Sequence, residues 1–341
     1  MTAVEIATVA TPDGPPGKTG SRMGKNLGRT VALRIAGVLV ILLIISFVTF
    51  SLLYLAPGDI VKNLLGNRPT SPEAIAAIRA EYHLDDPFFV RYIDWLGGAL
   101  TGDFGESIRL QQPVGDVIAS RLPSTIALIA LSFLVALVTA IPLGIVSAAR
   151  EGRATDRIGS ALSLLGLSAP SFALAILLLY LFSMLIPLFP AYGGGDGPLD
   201  ALWHLTLPAV ALAAGIGAIL MRMTRAAVLR ELQSDAITFA RARGLSEREV
   251  RTIALRGAAI PIVTGAGLIL TFIVGGTIIV ETVFALPGIG SLLQEAVLFK
   301  DFPLVQALTM LIAAVIAVIT ILVDLSYLLL DPRVRTKELN R

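Results

Sequence analysis

Six apolar blocks, each near or beyond the length a helix needs to cross a bilayer, leave this chain few folds to choose from. They lie at approximately 35–55, 122–149, 158–188, 203–221, 258–280 and 304–323. About 20 apolar residues in a helix span the hydrocarbon core. No water is available there, so a segment must satisfy its own backbone amides, as a helix does, or join a closed barrel. The blocks are continuous rather than alternating, which selects helices. A hydrophobic fraction of 55% beside 15% charged residues lies off the soluble average in both directions and agrees. The fold class is therefore an all-α integral membrane protein with six transmembrane helices. The first block is too long for a signal-peptide core and follows a long tail, which argues against cleavage.

Basic residues orient the spans. The 150–157 loop carries Arg150, Arg153 and Arg157, and the stretch from Arg222 to Arg256 carries eight arginines. The 189–202 loop has no basic residue, 281–303 has only Lys300, and the segment after 331 has four. In the long segment 56–121 acids outnumber Lys and Arg. Basic and neutral loops alternate, so the positive-inside rule places both termini and the arginine-rich loop in the cytoplasm of a multi-pass cell-membrane protein. The organisation expected is a disordered cytoplasmic tail (1–30), helix 1 (31–55), an extracytoplasmic helical cap (56–121), a five-helix core (122–330) and a cytoplasmic tail (331–341).

The cytoplasmic loop at 229–258, between helices 4 and 5, is the long polar insert of the C-terminal two thirds. Leu229, Leu232, Ala236, Phe239 and Ala240 recur at three- and four-residue spacing, one stripe of a helix. Gly244 supplies a left-handed helix end. Ser246 with Glu249 three residues later reads as a capping box that starts a second helix. Val250, Ile253, Ala254 and Gly257 make its stripe, and Pro261 stands where the next span is expected to begin. Two short amphipathic helices meeting at a glycine elbow suit docking into a partner.

Other features carry less. Gly17-Lys18-Thr19 has the look of a phosphate-binding loop, but the motif's first glycine falls on Pro12 and no strand precedes it. The 56–121 segment holds two helix-like stretches, SPEAIAAIRAEYHL and DDPFFVRYIDWLGGAL, the second ending at its glycines. Asp324 and Glu281 are acids at the ends of spans, where capping and transport roles are both open. Pro170, Pro187 and Pro208 can kink helices. Gly215, Gly217, Gly265, Gly267, Gly275 and Gly276 allow close packing. No cysteine is present, which excludes disulfides and thiolate metal sites.

Asp235-Ala236-Ile237-Thr238-Phe239-Ala240-Arg241-Ala242-Arg243-Gly244-Leu245-Ser246 resembles the cytoplasmic loop of binding-protein-dependent ABC-transporter permease subunits. The likeness is to the dipeptide, oligopeptide and nickel branch, and within it to B-type peptide permeases. Thr238-Phe239 stands where the broader permease pattern has Glu-Ala. Ala56-Pro57-Gly58-Asp59, Leu84-Asp85-Asp86-Pro87 and Gly102-Asp103-Phe104-Gly105-Glu106-Ser107 are similar to motifs of the same family. So are Glu281-Thr282-Val283-Phe284, Pro287-Gly288-Ile289-Gly290, Asp301-Phe302-Pro303 and Asp324…Tyr327…Asp331-Pro332-Arg333.

The resemblance implies half of a translocation pathway for peptides, with nickel or glutathione as alternatives. It implies a second permease chain, two cytosolic ATPase subunits that bind ATP and Mg, and an external substrate-binding protein. This chain would hold no cofactor and perform no catalysis, and lipid rather than nucleic acid would surround it. Asp235, Phe239, Ala240, Arg241, Ala242, Arg243, Gly244, Leu245, Ser246 and Glu249 would couple it to the ATPases. Two rivals fare worse. A secondary transporter would carry more charge within its spans. A membrane protease built on Gly166-Leu167-Ser168-Ala169 would need a histidine, and His83 and His204 fall on the outer side, with Ser168 roughly 15 Å from its own inner mouth.

Overall fold

The computed structural model describes residues 19–55, 71–72, 75–76, 79 and 85–330, with side chains at 32–51 in the first helix and up to 326 in the last. The helices are α1 (Thr19–Leu55), α2 (Phe88–Thr101), α3 (Val114–Ala149), α4 (Ala154–Ser168) and α5 (Ser171–Leu179, continued by a π-turn Tyr180–Leu185). They continue with α6 (Pro198–Leu232), α7 (Asp235–Ala242), α8 (Glu247–Val283), α9 (Ile289–Leu298) and α10 (Phe302–Leu330). Among the described residues no strand forms, and one isolated bridge pairs Glu106 with Pro113.

Five helices, α1, α3, α6, α8 and α10, are long and apolar enough to cross a membrane. The block expected at 158–188 is a bent pair instead: α4 and α5 turn through 102°. Proline has no amide to donate and pushes the preceding residue out of the helical region. Ala169, before Pro170, accordingly sits extended at φ −81°, ψ 122°. The span count reaches six when this pair is taken as one.

Several boundaries move. Helix α1 starts at Thr19, within the 1–30 stretch read as a tail, and the last prolines of that stretch, Pro15 and Pro16, precede it. Helix α3 begins at Val114, inside the expected cap, and carries Pro123 and Pro142 within it. Helix α2 passes through Gly97 and Gly98 and stops at Gly102, which is left-handed at φ +84°. Of the other helix-like stretch in the cap, Ile75 donates to the Ser71 carbonyl at 3.0 Å, and the rest lies outside the described residues. Ala56–Asp59, Leu84 and Asp331–Arg333 also lie outside them.

Helix α6 is the hub. Fourteen of its residues are buried, drawn from its whole length between Leu205 and Val228. Small residues let its neighbours come close. A side chain at Gly144 of α3 would meet the Met221 carbonyl and Thr224 at 2.7 Å, and one at Gly276 of α8 would meet Leu212 at 2.6 Å. Gly275, by contrast, faces open space. The main apolar cluster joins Leu128 of α3, Ala175 of α5, Leu212 of α6 and Ile273 of α8. Many large apolar side chains on α1, α3 and α4 stay exposed, among them Leu39, Val138 and Leu165. A membrane-facing or partner-facing surface looks like this, since lipid is as apolar as leucine.

At the end of the bundle away from α7, two carboxylates hold the corners. Glu281 is fully buried and accepts from Thr125 Oγ1 at 2.6 Å, Gly290 N at 2.7 Å and Ser291 N at 3.1 Å. It thus satisfies the free amides at the start of α9, a helix cap supplied from another helix. A side chain on Gly288 would strike that carboxyl, which is why glycine stands there. Asp301 accepts from Ser107 Oγ at 2.5 Å and from the Ile108 and Arg109 amides at 3.2 Å. It fastens the 102–113 loop to the α9–α10 corner. Near α2, Phe47 and Phe50 of α1 pack edge-on to Phe88, and the Ser46 hydroxyl shares a 2.7 Å hydrogen bond with Tyr92. Asp324 of α10 pairs with Arg34 of α1.

Candidate coupling surface

The elbow is built from local chemistry outward. Helix α6 ends at Leu232, and the chain passes through Gln233 and an extended Ser234 before restarting as α7. The stripe read from Leu229 to Ala240 is therefore two helices, and the break changes which residues face inward. Ile237 and Ala240 are buried against Val250 and Ala254 of α8, with Leu232 and Leu245 packed at the edge. Ala236 and Phe239 point outward, Phe239 with 71% of its surface exposed. Ile237 is the residue that periodicity alone missed. Ser234, a residue type that favours the N-cap position, is the signal that would have reset the phase.

The C-terminus of α7 is closed by a complete Schellman turn. Gly244 N donates to the Arg241 carbonyl at 2.9 Å, and Leu245 N donates to the Ala240 carbonyl at 3.2 Å. Together these satisfy carbonyls that α7 leaves free, and Leu245 makes the accompanying apolar contact. Gly244 has φ +78°, and no atom lies within 4 Å of where a Cβ would be. Backbone conformation, not crowding within this chain, requires glycine here.

The next helix starts on the predicted capping box. Ser246 N donates to Glu249 Oε2 at 2.8 Å, and Glu249 N donates to Ser246 Oγ at 3.4 Å. The short second helix and the span after it prove to be one element. Helix α8 runs unbroken for 37 residues, carrying Pro261 inside it rather than at its start. Likewise α6 reaches 11 residues past the expected end of its span at 221.

The ten residues singled out in the loop thus divide by role. Ala240, Gly244, Leu245, Ser246 and Glu249 set the shape of the elbow. Asp235, Phe239, Arg241, Ala242 and Arg243 form its outer face. Asp235 sits in the first turn of α7, where negative charge complements the helix dipole. Arg241 pairs with Glu247 at 3.1 Å, both exposed, a contact of at most about 1 kcal/mol.

Behind the elbow lies a buried tie that sequence reading did not find. Asp156 of α4 receives Arg225 Nε at 2.7 Å and a second Arg225 nitrogen at 2.8 Å. It also accepts from Ser147 Oγ of α3 at 2.5 Å and from Gly152 N at 3.0 Å. The carboxylate is 5% exposed and fully satisfied, and it locks α3, α4 and α6 together at the end of α6 that leads into α7. Gln233 adds an outer link to Glu151 at 3.3 Å.

The protease reading finds no partner for its serine. Ser168 Oγ donates to the Leu164 carbonyl of its own helix at 2.9 Å, while His204 Nδ1 bonds the Asp200 carbonyl at 2.9 Å; His83 lies outside the described residues.

Comparison with known proteins decides the family. Residues 140–336, more than half of the chain, match the binding-protein-dependent transport system inner membrane component family. The chain belongs to that family. Residues 27–129 match its membrane-component N-terminal region. Among relatives of this transport family, one from Brucella abortus is described as a peptide transport system permease protein. It is 40% identical over 306 residues, covering 89% of this chain and 97% of the relative. The glutathione transport system permease protein GsiC of Salmonella choleraesuis is 35% identical over 308 residues, covering 90% and 99%. The fold is similar to that in the inward-facing MetNI methionine ABC transporter, with TM-score 0.50 at 20% identity, over 63% of this chain and 96% of that one.

Proposed function

We propose that this chain is the permease subunit of an ATP-driven importer of peptides, and that α7 with its capped turn is the part that engages cytosolic ATPase subunits. The observation that carries the coupling role is the outward Phe239 on a helix whose inner face is locked down. A short rigid helix with one exposed aromatic, joined at both ends to membrane-length helices, is suited to sit in a groove and pass on its movement. When the ATPases close on ATP and Mg, the elbow moves with them, and the attached α6 and α8 tilt. Alternating access results from that tilt.

In this reading the elbow and both termini are cytoplasmic, as the arginine distribution indicates. A second, similar permease chain supplies the other half of the pathway. An external binding protein delivers substrate to the opposite face, where α2 and the 102–113 loop lie. ATP is bound and hydrolysed by the partner subunits. Peptide is the substrate class that covers both relatives, since glutathione is itself a small peptide. Nickel is the alternative carried by resemblance alone.

The test is reconstitution with the ATPase subunits, the second permease chain and the binding protein in liposomes. Uptake of di- to oligopeptides should require ATP and the binding protein and should be indifferent to an imposed ion gradient. Gradient-driven uptake without the ATPases would overturn the reading. So would labelling that places 235–250 on the outer side.

A further inference from the structure

A cavity of about 580 Å³ opens between α1 and α10, floored by Ile278 of α8 and Leu293 of α9. Its walls are aliphatic except for threonines. Two of those turn their hydroxyls back onto their own helices: Thr49 donates to the Ile45 carbonyl at 2.8 Å and Thr320 to the Ile316 carbonyl at 2.8 Å. Almost all of the lining is apolar, so this open groove suits hydrocarbon better than water.

Its length is informative. The lining runs from Val38 to Thr49 on α1 and from Thr309 to Thr320 on α10. That is 12 residues on each helix, roughly 16 Å of axis from first to last. A bilayer core is about 30 Å thick, so the groove is one leaflet long, the reach of a single acyl chain. One turn beyond Val38 stands Arg34, paired with Asp324, which is one turn beyond Thr320. Arg34 is partly exposed and has five N–H donors, more than Asp324 can occupy. The stretch of α1 from Thr19 to Arg34 carries Arg22, Lys25, Arg29 and Arg34 and no acid. Such an end attracts phosphate-bearing headgroups.

We propose that this groove is a phospholipid site, with an acyl chain between α1 and α10 and the headgroup phosphate at Arg34. The lipid fills what is otherwise a void between the first and last spans. It fixes α1 against the core without using any group of the coupling surface.

The chain has no cysteine, so crosslinking can be read cleanly. The full complex, in nanodiscs, is exposed to phosphatidylglycerol bearing a photoreactive acyl chain, or to a diacylglycerol with the same chains. Phosphatidylglycerol should label Val38–Thr49 and Thr309–Thr320. Filling the groove with Ala313→Trp and Ala317→Trp should abolish that label while the complex stays assembled. Arg34→Gln should reduce phosphatidylglycerol capture to the diacylglycerol level, and Arg34→Lys should restore it. Equal capture of the two lipids by the native chain would overturn the headgroup assignment. A cysteine at Ala313 that crosslinks to the second permease chain, or a groove that lipid never labels, would overturn the site.

Discussion

Gly244 offers the sharpest test of how the elbow works. Its φ of +78° costs an L-residue about 1–2 kcal/mol, and a β-branched residue more. No neighbour lies within 4 Å of a Cβ built there, so nothing in this chain adds a steric term. A penalty of that size lowers the ratio of native to alternative turn by about 5- to 30-fold. Abandoning the turn would release the Gly244 and Leu245 amide bonds and draw Leu245 away from Ile237, Ala240, Val250 and Ala254. The assay is ATP-driven uptake by reconstituted variants, with membrane insertion and ATPase co-purification measured in parallel. If conformation is the cause, activity should fall in the order Gly, Asn, Ala, Val, because asparagine tolerates the left-handed region best. If instead a partner presses against Gly244, asparagine should be worse than alanine, since it is bulkier. Normal uptake by Gly244→Val would refute the requirement for this turn altogether.

Phe239→Ala should leave the chain as stable as before, because the ring is largely exposed, yet weaken co-purification of the ATPase subunits. Burial of a phenylalanine at an interface contributes about 1.5–3 kcal/mol, so the loss should be roughly 10- to 150-fold in affinity. Asp156→Asn should destabilise the purified chain by about 3–5 kcal/mol, since it strands Arg225 in a part-buried site; a thermal melt reads this directly. Arg225→Lys keeps the charge but loses the two-pronged contact, so its melting temperature should fall between those of the native chain and Asp156→Asn. Glu281→Ala should leave the amides of Gly290 and Ser291 unsatisfied, at about 1–3 kcal/mol each, and a melting curve matching the native one would exclude the capping role.

What could be read from sequence was what is settled within a few residues. Gly244, Ser246 and Glu249 declared the turn and the helix start because their partners are five residues away or fewer. The apolar blocks declared the spans for the same reason, since a membrane helix satisfies its own backbone. Which face of α7 turns inward was not so determined. Ile237 and Phe239 are both apolar and lie on opposite sides of one helix, so only the break at Ser234 and the position of Val250 decide between them. Contacts between distant segments were hidden altogether. Asp156 finds Arg225 69 residues later, and Ser107 finds Asp301 194 residues later. Glu281 reads from sequence as an acid at the end of a span with capping and transport roles both open, and its use as a cap for α9 depends on where Gly290 comes to lie.

The same continuity that blurred the boundary between elbow and span bears on mechanism. Helix α6 has 35 residues and α8 has 37, roughly 52 and 55 Å at 1.5 Å per residue, against a bilayer core of about 30 Å. Both therefore project well beyond the hydrocarbon, and α7 sits between their projecting ends. Within this stretch the positive-φ residue, Gly244, lies outside both helices, and the close contact of Gly276 with Leu212 pins the pair deep in the bundle. A push on α7 meets no break in α6 or α8, and each helix has one bend point, Pro208 and Pro261. What those prolines do not absorb appears as a tilt of both helices together. Asp156 and Arg225 resist that tilt near α7, carrying α4 along with α6, while the bend at Ala169–Pro170 leaves α4 free to swing relative to α5. The deformation is thus expected to concentrate at the α4–α5 break. Spin labels on α6 and α8 should keep a fixed separation between nucleotide states, whereas labels on α4 and α5 should not; a changing α6–α8 distance would show that the pair is not one rigid lever.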